Sequence, residues 1–416
     1  MKTIFMNRIK AVLLPVSLLM MILMTGCGDD KTTTLWDPDV VAKPDPTITA
    51  VTPDSGLSGI TELTITGTNF SAVKEENIVY FNTAKGEVLD ATPTTLRVKA
   101  GVVTPEGENA LVKVRVIGAF AFSNTVTVKL KQAVEYPVTL QGFEQPSAIE
   151  FDKDGNMYFS MLTSDVTNNI VKITPAGVKT MFTPNVGGGF KFTSLKMGPD
   201  GALYGVRNSA RAIFRMTEGA AITTWTAVTP NTVKLVDIDF DNAGNLWACG
   251  DNQSLFRLDP SKVLKSYPFV ANATALRVVG NDLYVAVKKD SSAMLYKFPI
   301  NGSGDIDPAA VTTPFVNIGT AYGYKVYVNQ FTVDALGNIY LATNDAAAIL
   351  KVTPSGNVAP LYPGVLLPLE AMFITWDNST NLYYSRSNGT VSGKTVDQTI
   401  AKVLMGVQGA NYNGRR

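Results

Sequence analysis

The chain has 416 residues, of which 36 are basic and 35 acidic, so its formal net charge is only +1. No basic run or high isoelectric point indicates nucleic-acid binding, and we expect no nucleic acid among its partners. The sequence has no histidine and only two cysteines, which removes the commonest general base and argues against a disulfide framework. The length favours two domains.

The first 26 residues have the organisation of a signal peptide. Basic residues precede an apolar run over residues 11–24, and this run is shorter than the about 20 residues that a membrane-spanning helix needs. The segment Leu23–Cys27 resembles the bacterial lipobox. That resemblance implies cleavage before Cys27 and lipidation of Cys27, with plain secretion and a free thiol as the alternative.

Residues 27–45 are expected to form a flexible linker, because they are polar and lack apolar periodicity. Asp29 and Asp30 follow Cys27 almost directly and resemble the surface-export signal of Bacteroidetes lipoproteins. The resemblance implies a lipid-anchored protein of the outer membrane, exposed at the cell surface. An ordinary tether facing the periplasm stays open as the alternative.

Residues 46–130 contain short alternating stretches separated by turn residues, which predicts a β-sandwich. The segments Pro53–Gly59 and Thr64–Phe70 resemble the IPT/TIG family. This resemblance implies an immunoglobulin-like domain that serves as a spacer or as an interaction module, without catalytic residues.

Residues 136–410 repeat a unit in which a strand, an Asp-x-x-Gly-Asn turn and a second strand follow each other. Repeats of this length are typical of β-propellers, and the pattern resembles the NHL-repeat family. We expect an all-β chain with a six-bladed propeller, whose last blade is closed by Tyr136–Leu140. The six units are counted by the aromatic anchors Tyr158, Tyr204, Trp247, Tyr284, Tyr340 and Tyr383.

The predicted inner strands carry alternating charges at nearly equivalent positions, namely Glu150, Lys196, Asp239 and Arg277. Ion pairs between neighbouring blades are the favoured interpretation, because buried charges usually persist only when they are paired. A cation site in the channel, occupied by calcium, is the alternative. We otherwise expect no cofactor.

The face opposite the Asp-x-x-Gly-Asn turns is predicted to bind ligand. Its loops combine aromatic rings, which can stack on sugars, with amides and charges that can pair with hydroxyl groups. The candidate residues are Phe190, Phe192, Arg207, Asn208, Asp251, Asn252, Lys288, Tyr322, Tyr324, Asn344, Asp345, Arg386 and Asn388.

These features favour a non-catalytic surface protein that captures glycan, or a protein ligand, for a neighbouring uptake complex. One alternative is a calcium-dependent hydrolase of the lactonase or gluconolactonase type. Its nearest candidate ligands are Glu150, Asp237, Asp239 and Asn329. A second alternative is a protein-interaction platform, which the sequence does not separate from the first hypothesis.

Overall fold

The computed structural model describes residues 41–104, 107–142, 144–162, 168–184 and 191–415. Within these ranges the strands dominate, and the helices are single turns at Lys74–Glu76, Pro308–Ala310 and Ile318–Ala321. None of these helices is long enough to cross a membrane. The predicted all-β fold is confirmed. The expectations for the signal peptide, for Cys27 and for Phe190 lie outside the described residues.

The first domain is a sandwich of a four-stranded and a five-stranded sheet, ordered β1-β3-β7-β6 and β2-β9-β8-β4-β5. Its strands are β1 (Thr47–Thr52), β2 (Ser55–Leu57), β3 (Glu62–Thr68), β4 (Asn77–Phe81), β5 (Ala84–Lys85), β6 (Glu87–Ala91), β7 (Thr95–Lys99), β8 (Asn109–Val116) and β9 (Val126–Lys131). Burial alternates along β3 and β8, so the apolar residues of both sheets meet in one core.

The second domain is a six-bladed propeller. Five blades are consecutive four-stranded antiparallel sheets. Their strands are β11 (Gln145–Phe151), β12 (Met157–Leu162), β13 (Asn168–Ile173) and β14 (Lys179–Met181); β15 (Ser194–Met197), β16 (Leu203–Val206), β17 (Ala212–Met216) and β18 (Thr223–Ala227); β19 (Leu235–Phe240), β20 (Leu246–Gly250), β21 (Ser254–Leu258) and β22 (Leu264–Pro268); β23 (Ala273–Val279), β24 (Asp282–Lys289), β25 (Ser292–Pro299) and β26 (Val316–Asn317); β27 (Val328–Val333), β28 (Ile339–Thr343), β29 (Ile349–Val352) and β30 (Val358–Pro360).

The sixth blade closes the ring. It consists of β31 (Ala371–Trp376), β32 (Asn381–Arg386), β35 (Thr399–Leu404) and β10 (Val134–Glu135), which precedes the first blade in sequence. The hairpin β33 (Gly389–Val391) and β34 (Lys394–Val396) interrupts it. The inner strands β31 and β11 are in contact, as are the inner strands of the other neighbouring blades, so the ring is complete.

The closing strand differs from the prediction. The sequence predicts closure by Tyr136–Leu140, but Val134–Glu135 pairs with Val403 and Lys402 instead. Pro137 lacks the N–H that a strand ladder needs, so the segment after Glu135 leaves the sheet. Val138 then packs into the apolar core of the first blade.

The turn aspartates hold the aromatic anchors. Asp152 accepts hydrogen bonds from the backbone N–H groups of Asp154 and Asn156 at 3.0 and 2.9 Å, and from the Tyr158 hydroxyl at 2.8 Å. Gly155 in the same turn has a φ of 80°, which favours glycine. The same contact joins Asp200 to Tyr204, Asp241 to Trp247 and Asp334 to Tyr340. These turns are therefore structural.

Five of the six inner strands carry a β-bulge near their first residues. The register shifts fall between Ser147 and Ile149, Leu235 and Asp237, Ala273 and Ala275, Val328 and Gln330, and Ala371 and Phe373. A bulge adds one residue and increases the local twist, and so it changes the direction of the neighbouring side chains. All five bulges lie at the face opposite the Asp-x-x-Gly-Asn turns.

Candidate ligand-binding funnel

A cavity of about 630 Å³ opens at the propeller face that carries the bulges. We call it the funnel. Its walls come from the residues that precede or start an inner strand and from those that end or follow a second strand, in five different blades. The lining residues are Lys191, Thr193, Asn208, Val236, Asp251, Asn272, Ala273, Thr274, Lys288, Tyr327, Val328, Asn329, Asn344, Glu370, Met372 and Phe373.

Four carboxamides, those of Asn208, Asn272, Asn329 and Asn344, contribute to the polar wall. Asn272 accepts a hydrogen bond from the Gln253 N–H at 3.1 Å, and its NH₂ group has no hydrogen-bond partner among the described residues. Asn329 donates to Glu370 and to the Ala371 carbonyl, both at 2.8 Å, so that its own carbonyl oxygen can still accept. A carboxamide donates and accepts at once, as a ligand with several hydroxyl groups requires.

Asn208 and Asn344 complete this wall. The Asn344 side chain accepts from the Tyr327 N–H at 2.7 Å and donates to the Lys325 carbonyl at 3.2 Å, which fixes its orientation. Asn208 is exposed, and its side chain makes no hydrogen bond within the described part of the chain. The wall thus combines oriented amides with one amide that can turn toward a ligand.

The charges of the funnel balance. Lys191 and Lys288 contribute two positive charges, and Asp251 and Glu370 contribute two negative ones. The Lys288 ammonium lies 3.8 Å from the centroid of the Tyr327 ring, a cation–π contact that holds both side chains at the mouth. The funnel therefore has no net charge that would select an anion or a cation.

Apolar side chains also line the funnel, and a buried ion pair lies in the channel. Val236, Val328 and Phe373 contribute apolar surface to the funnel. Asp237 and Arg277 form an ion pair of 2.8 Å, and both side chains are almost fully buried. Because these two charges neutralise each other, the channel presents little free charge to a ligand in the funnel.

Four of the candidate residues lie in the funnel wall, namely Asn208, Asp251, Lys288 and Asn344. Three others lie outside it. Tyr322 is 38% exposed and donates its hydroxyl to Asp345 at 3.0 Å. Burial, followed by the contact with Asp345, raises the pKa of Tyr322. Tyr324 is 62% exposed. This cluster belongs to the same face, but the lining of the funnel does not include it.

Two candidate residues are buried, and the expectation that they are surface residues is wrong. Phe192 is fully buried and packs edge-on against Phe214, with ring centroids 5.7 Å apart. Arg386 is 4% exposed. Its guanidinium donates to the Tyr136 hydroxyl at 3.3 Å and to the Asp397 carbonyl at 2.8 Å.

The last three described candidates also lie outside the funnel. Arg207 is half-buried, with its guanidinium 5.3 Å from the centroid of the Phe214 ring, and burial lowers the pKa of Arg207. The side-chain oxygen of Asn252 is buried. Asn388 is exposed.

Several lining residues were not singled out from the sequence. Asn272, Tyr327 and Glu370 immediately precede the bulge of their inner strands, and Thr274, Asn329 and Met372 lie inside it. An alignment of the repeats on the inner strand, rather than on the turn, would have brought these positions together. The sequence predicts Asn329 only as a metal ligand.

The channel below the funnel contains a buried charge network. Glu150 is paired with Lys196 at 3.1 Å and with Arg415, whose Nε lies 2.9 Å from the carboxylate. Burial would raise the pKa of Glu150, but the charges of Arg415 and Lys196 outweigh it and lower this pKa. Asp239 accepts from the Val278 N–H at 2.8 Å, and burial raises its pKa.

The segment 408–415 closes the opposite end of the channel. The Tyr412 hydroxyl donates to the Met197 carbonyl at 3.2 Å, and the Asn413 amide donates to the Phe240 carbonyl at 3.1 Å. The residue between Asn413 and Arg415 is glycine, and a Cβ at Gly414 would collide with the Met197 oxygen. This segment therefore blocks the channel at the end opposite the funnel.

The four candidate calcium ligands do not form one site. Asn329 lies in the funnel wall and bonds Glu370, whereas Glu150 and Asp237 are neutralised by cations inside the channel. In the described part of the chain, no group of three or more carboxylate or thiolate side chains is placed to hold a metal ion. The donor set thus does not fit calcium.

Comparison with known proteins identifies the first domain. Residues 46–130 match the family of IPT/TIG domains. The sandwich is an IPT/TIG domain. No curated protein is similar enough in sequence to match the chain.

Solved structures resemble the propeller or nearly the whole chain. An auxiliary nutrient-binding protein from Bacteroides thetaiotaomicron is 12% identical, with a TM-score of 0.50 over 90% of this chain and 99% of that one. A luciferin-regenerating enzyme is 17% identical, with a TM-score of 0.52 over 67% of this chain and 97% of that one. A protein whose gluconolactonase assignment is provisional is 15% identical, with a TM-score of 0.51 over 67% of this chain and 94% of that one. At these identities the likeness shows the fold alone.

Proposed function

We propose that this protein is a non-catalytic binding protein of the cell envelope, which captures a small glycan in the funnel and presents it to a neighbouring uptake complex. The observation that carries the proposal is the funnel wall, in which amides from several blades surround a cavity of about 630 Å³. This volume lies within the range of about 300–1,000 Å³ that is usual for small-molecule sites.

Chemical complementarity favours a neutral sugar. The oriented amides of Asn272, Asn329 and Asn344 supply donors and acceptors, and the four charged groups of the wall cancel. The apolar lining residues and the Tyr327 ring suit the C–H faces of a sugar. A concave site of this kind also favours a small ligand over a protein surface.

The remaining features agree with a role in nutrient capture. We propose that Cys27 carries a lipid in the outer membrane and that the IPT/TIG domain raises the propeller above the bilayer. An auxiliary nutrient-binding protein has a similar fold over nearly the whole chain, which supports this assignment. Exposure on the outer surface rests on the acidic residues after Cys27.

Calorimetric titration of the chain from residue 28 onward with a panel of neutral oligosaccharides tests the proposal. For the oligosaccharide that binds most tightly, Asn208→Ala and Asn272→Ala should each lower the binding affinity about fivefold, since a net hydrogen bond contributes about 1 kcal/mol. Asn388→Ala is the matched control, because Asn388 is exposed outside the funnel. No binding by any oligosaccharide, or equal losses in all three variants, would reject the funnel as a glycan site.

A further inference from the structure

The IPT/TIG domain has two distinct poles. Lys43 pairs with the turn after β8: its N–H donates to the Gly118 carbonyl at 2.9 Å. The chain leaves the domain at Lys131, at the other end of β8, and continues directly into the closing strand of the propeller. We call the end near Gly118 the N-terminal pole. The propeller is attached at the opposite pole.

Aromatic and basic side chains cluster near the N-terminal pole, on the outer face of the five-stranded sheet. The Lys113 ammonium lies 4.5 Å from the centroid of the Phe122 ring, and the Arg115 guanidinium lies 5.5 Å from it. Tyr80 packs edge-on against Phe122, with centroids 5.9 Å apart. Phe120 is 68% exposed. We call Tyr80, Lys113, Arg115, Phe120 and Phe122 the pole patch.

The positive charge of this sheet face is largely uncompensated. Among the described residues, no carboxylate lies within 4 Å of the charged groups of Lys113, Arg115 or Lys129. The opposite sheet differs, since Arg97 is paired with Glu62 at 3.0 Å. The outer face of the five-stranded sheet therefore attracts anions more strongly than the rest of the domain does.

The acidic groups near the pole are already engaged. Glu76 is paired with Lys43 at 2.6 Å, and the hydrogen bonds from Lys43 and Ser71 lower the pKa of Glu76. Asp45 accepts from the Ala121 N–H at 2.8 Å. Lys43 and Lys74 at this pole are paired with Glu76 and Glu75, whereas Lys113 and Arg115 have no carboxylate partner among the described residues.

We propose that the pole patch docks on the anionic lipid headgroups of the membrane that carries the protein. Exposed aromatic rings beside basic side chains are the combination that binds at the interface of an anionic bilayer. The chain between Cys27 and Lys43 enters the domain beside the patch and can span at most about 55 Å, so the patch stays within reach of an anchored bilayer.

Docking in this way orients the protein. Because the chain leaves the domain at the opposite pole, a bound patch places the membrane contact near the end of the domain that is farther from the propeller attachment. The nearness of the bilayer rests on the proposed lipid anchor, but the affinity of the patch for headgroups does not.

Vesicle sedimentation with the unlipidated chain from residue 28 onward tests the docking, and this chain contains every described residue. It should partition to phosphatidylcholine vesicles that contain phosphatidylglycerol, and not to phosphatidylcholine alone. The double variant Lys113→Gln with Arg115→Gln should reduce the partition coefficient about 25-fold, because each basic residue at such a surface contributes about fivefold. Phe120→Ser should reduce it further.

The matched control is Arg97→Gln with Lys99→Gln on the other sheet, which removes the same charge from the same domain. Equal losses in both double variants would show attraction by net charge and overturn the patch. Retention on an alginate column without vesicle binding would identify an anionic polysaccharide as the partner and also overturn the proposal. Because the assay uses no lipid anchor and no glycan, its result is independent of the proposed function.

Discussion

Replacing Glu150 with glutamine should strongly destabilise the propeller. The side chain is fully buried, and its carboxylate is paired with Lys196 at 3.1 Å and with the Arg415 Nε at 2.9 Å. It also accepts the Phe151 N–H at 2.7 Å. Glutamine keeps the size of the side chain but removes its charge, so the buried Lys196 and the partly buried Arg415 lose their counter-ion.

Breaking a buried pair from one side costs about 3–5 kcal/mol. For a domain of this size, that corresponds to a fall in melting temperature of about 6–10 °C, at roughly 2 °C per kcal/mol. Thermal denaturation followed by circular dichroism measures this fall in melting temperature. Glu218→Gln is the matched control: this carboxylate also pairs with a lysine, Lys172 at 3.1 Å, but its side chain is 62% exposed. The Glu218→Gln substitution should lower the free energy of unfolding by less than about 1 kcal/mol.

The difference between the wild type and Glu150→Gln should depend on pH. In the folded protein, the charges of Arg415 and Lys196 outweigh burial and hold the pKa of Glu150 below its usual value of 4.5. The stabilisation is therefore fully present above pH 4.5 and is lost as the pH falls through the folded pKa. Equal melting temperatures at neutral pH, or a gap that widens in acid, would refute the ion network.

Three further changes test other parts of the structure. Tyr158→Phe removes the 2.8 Å bond to Asp152 and should cost about 1.5–3 kcal/mol in urea denaturation, whereas no change would show that the turn does not need its anchor. A chain that begins at Gln132 should melt higher than one that begins at Tyr136, because only the first retains the closing strand Val134–Glu135; identical melting would contradict this closure. The Cys27→Ser protein should be absent from the membrane fraction after cell fractionation. An unchanged distribution would exclude the lipid anchor.

The sequence by itself determined the local units of this protein. Alternating apolar residues specify strands, and turns such as the one containing Asp152 and Gly155 specify hairpins, because each depends on contacts within a few residues. Repetition of these units was sufficient to predict six blades and the face opposite the turns. The IPT/TIG pattern was recognised for the same reason, since its turn residues are close in sequence.

Only the tertiary structure decided which residues meet. The funnel depends on bulges at the starts of the inner strands, which place Asn272, Tyr327 and Glu370 at the mouth, and the pattern of alternation does not reveal a bulge. Phe192 lies in a predicted loop, as Tyr322 and Tyr324 do, but its side chain is buried in the core. One of the two cations paired with Glu150 is Arg415, which is 265 residues away, and no local signal encodes a contact at that separation. Closure of the ring brings such distant groups together, and their desolvation then determines which charges must pair.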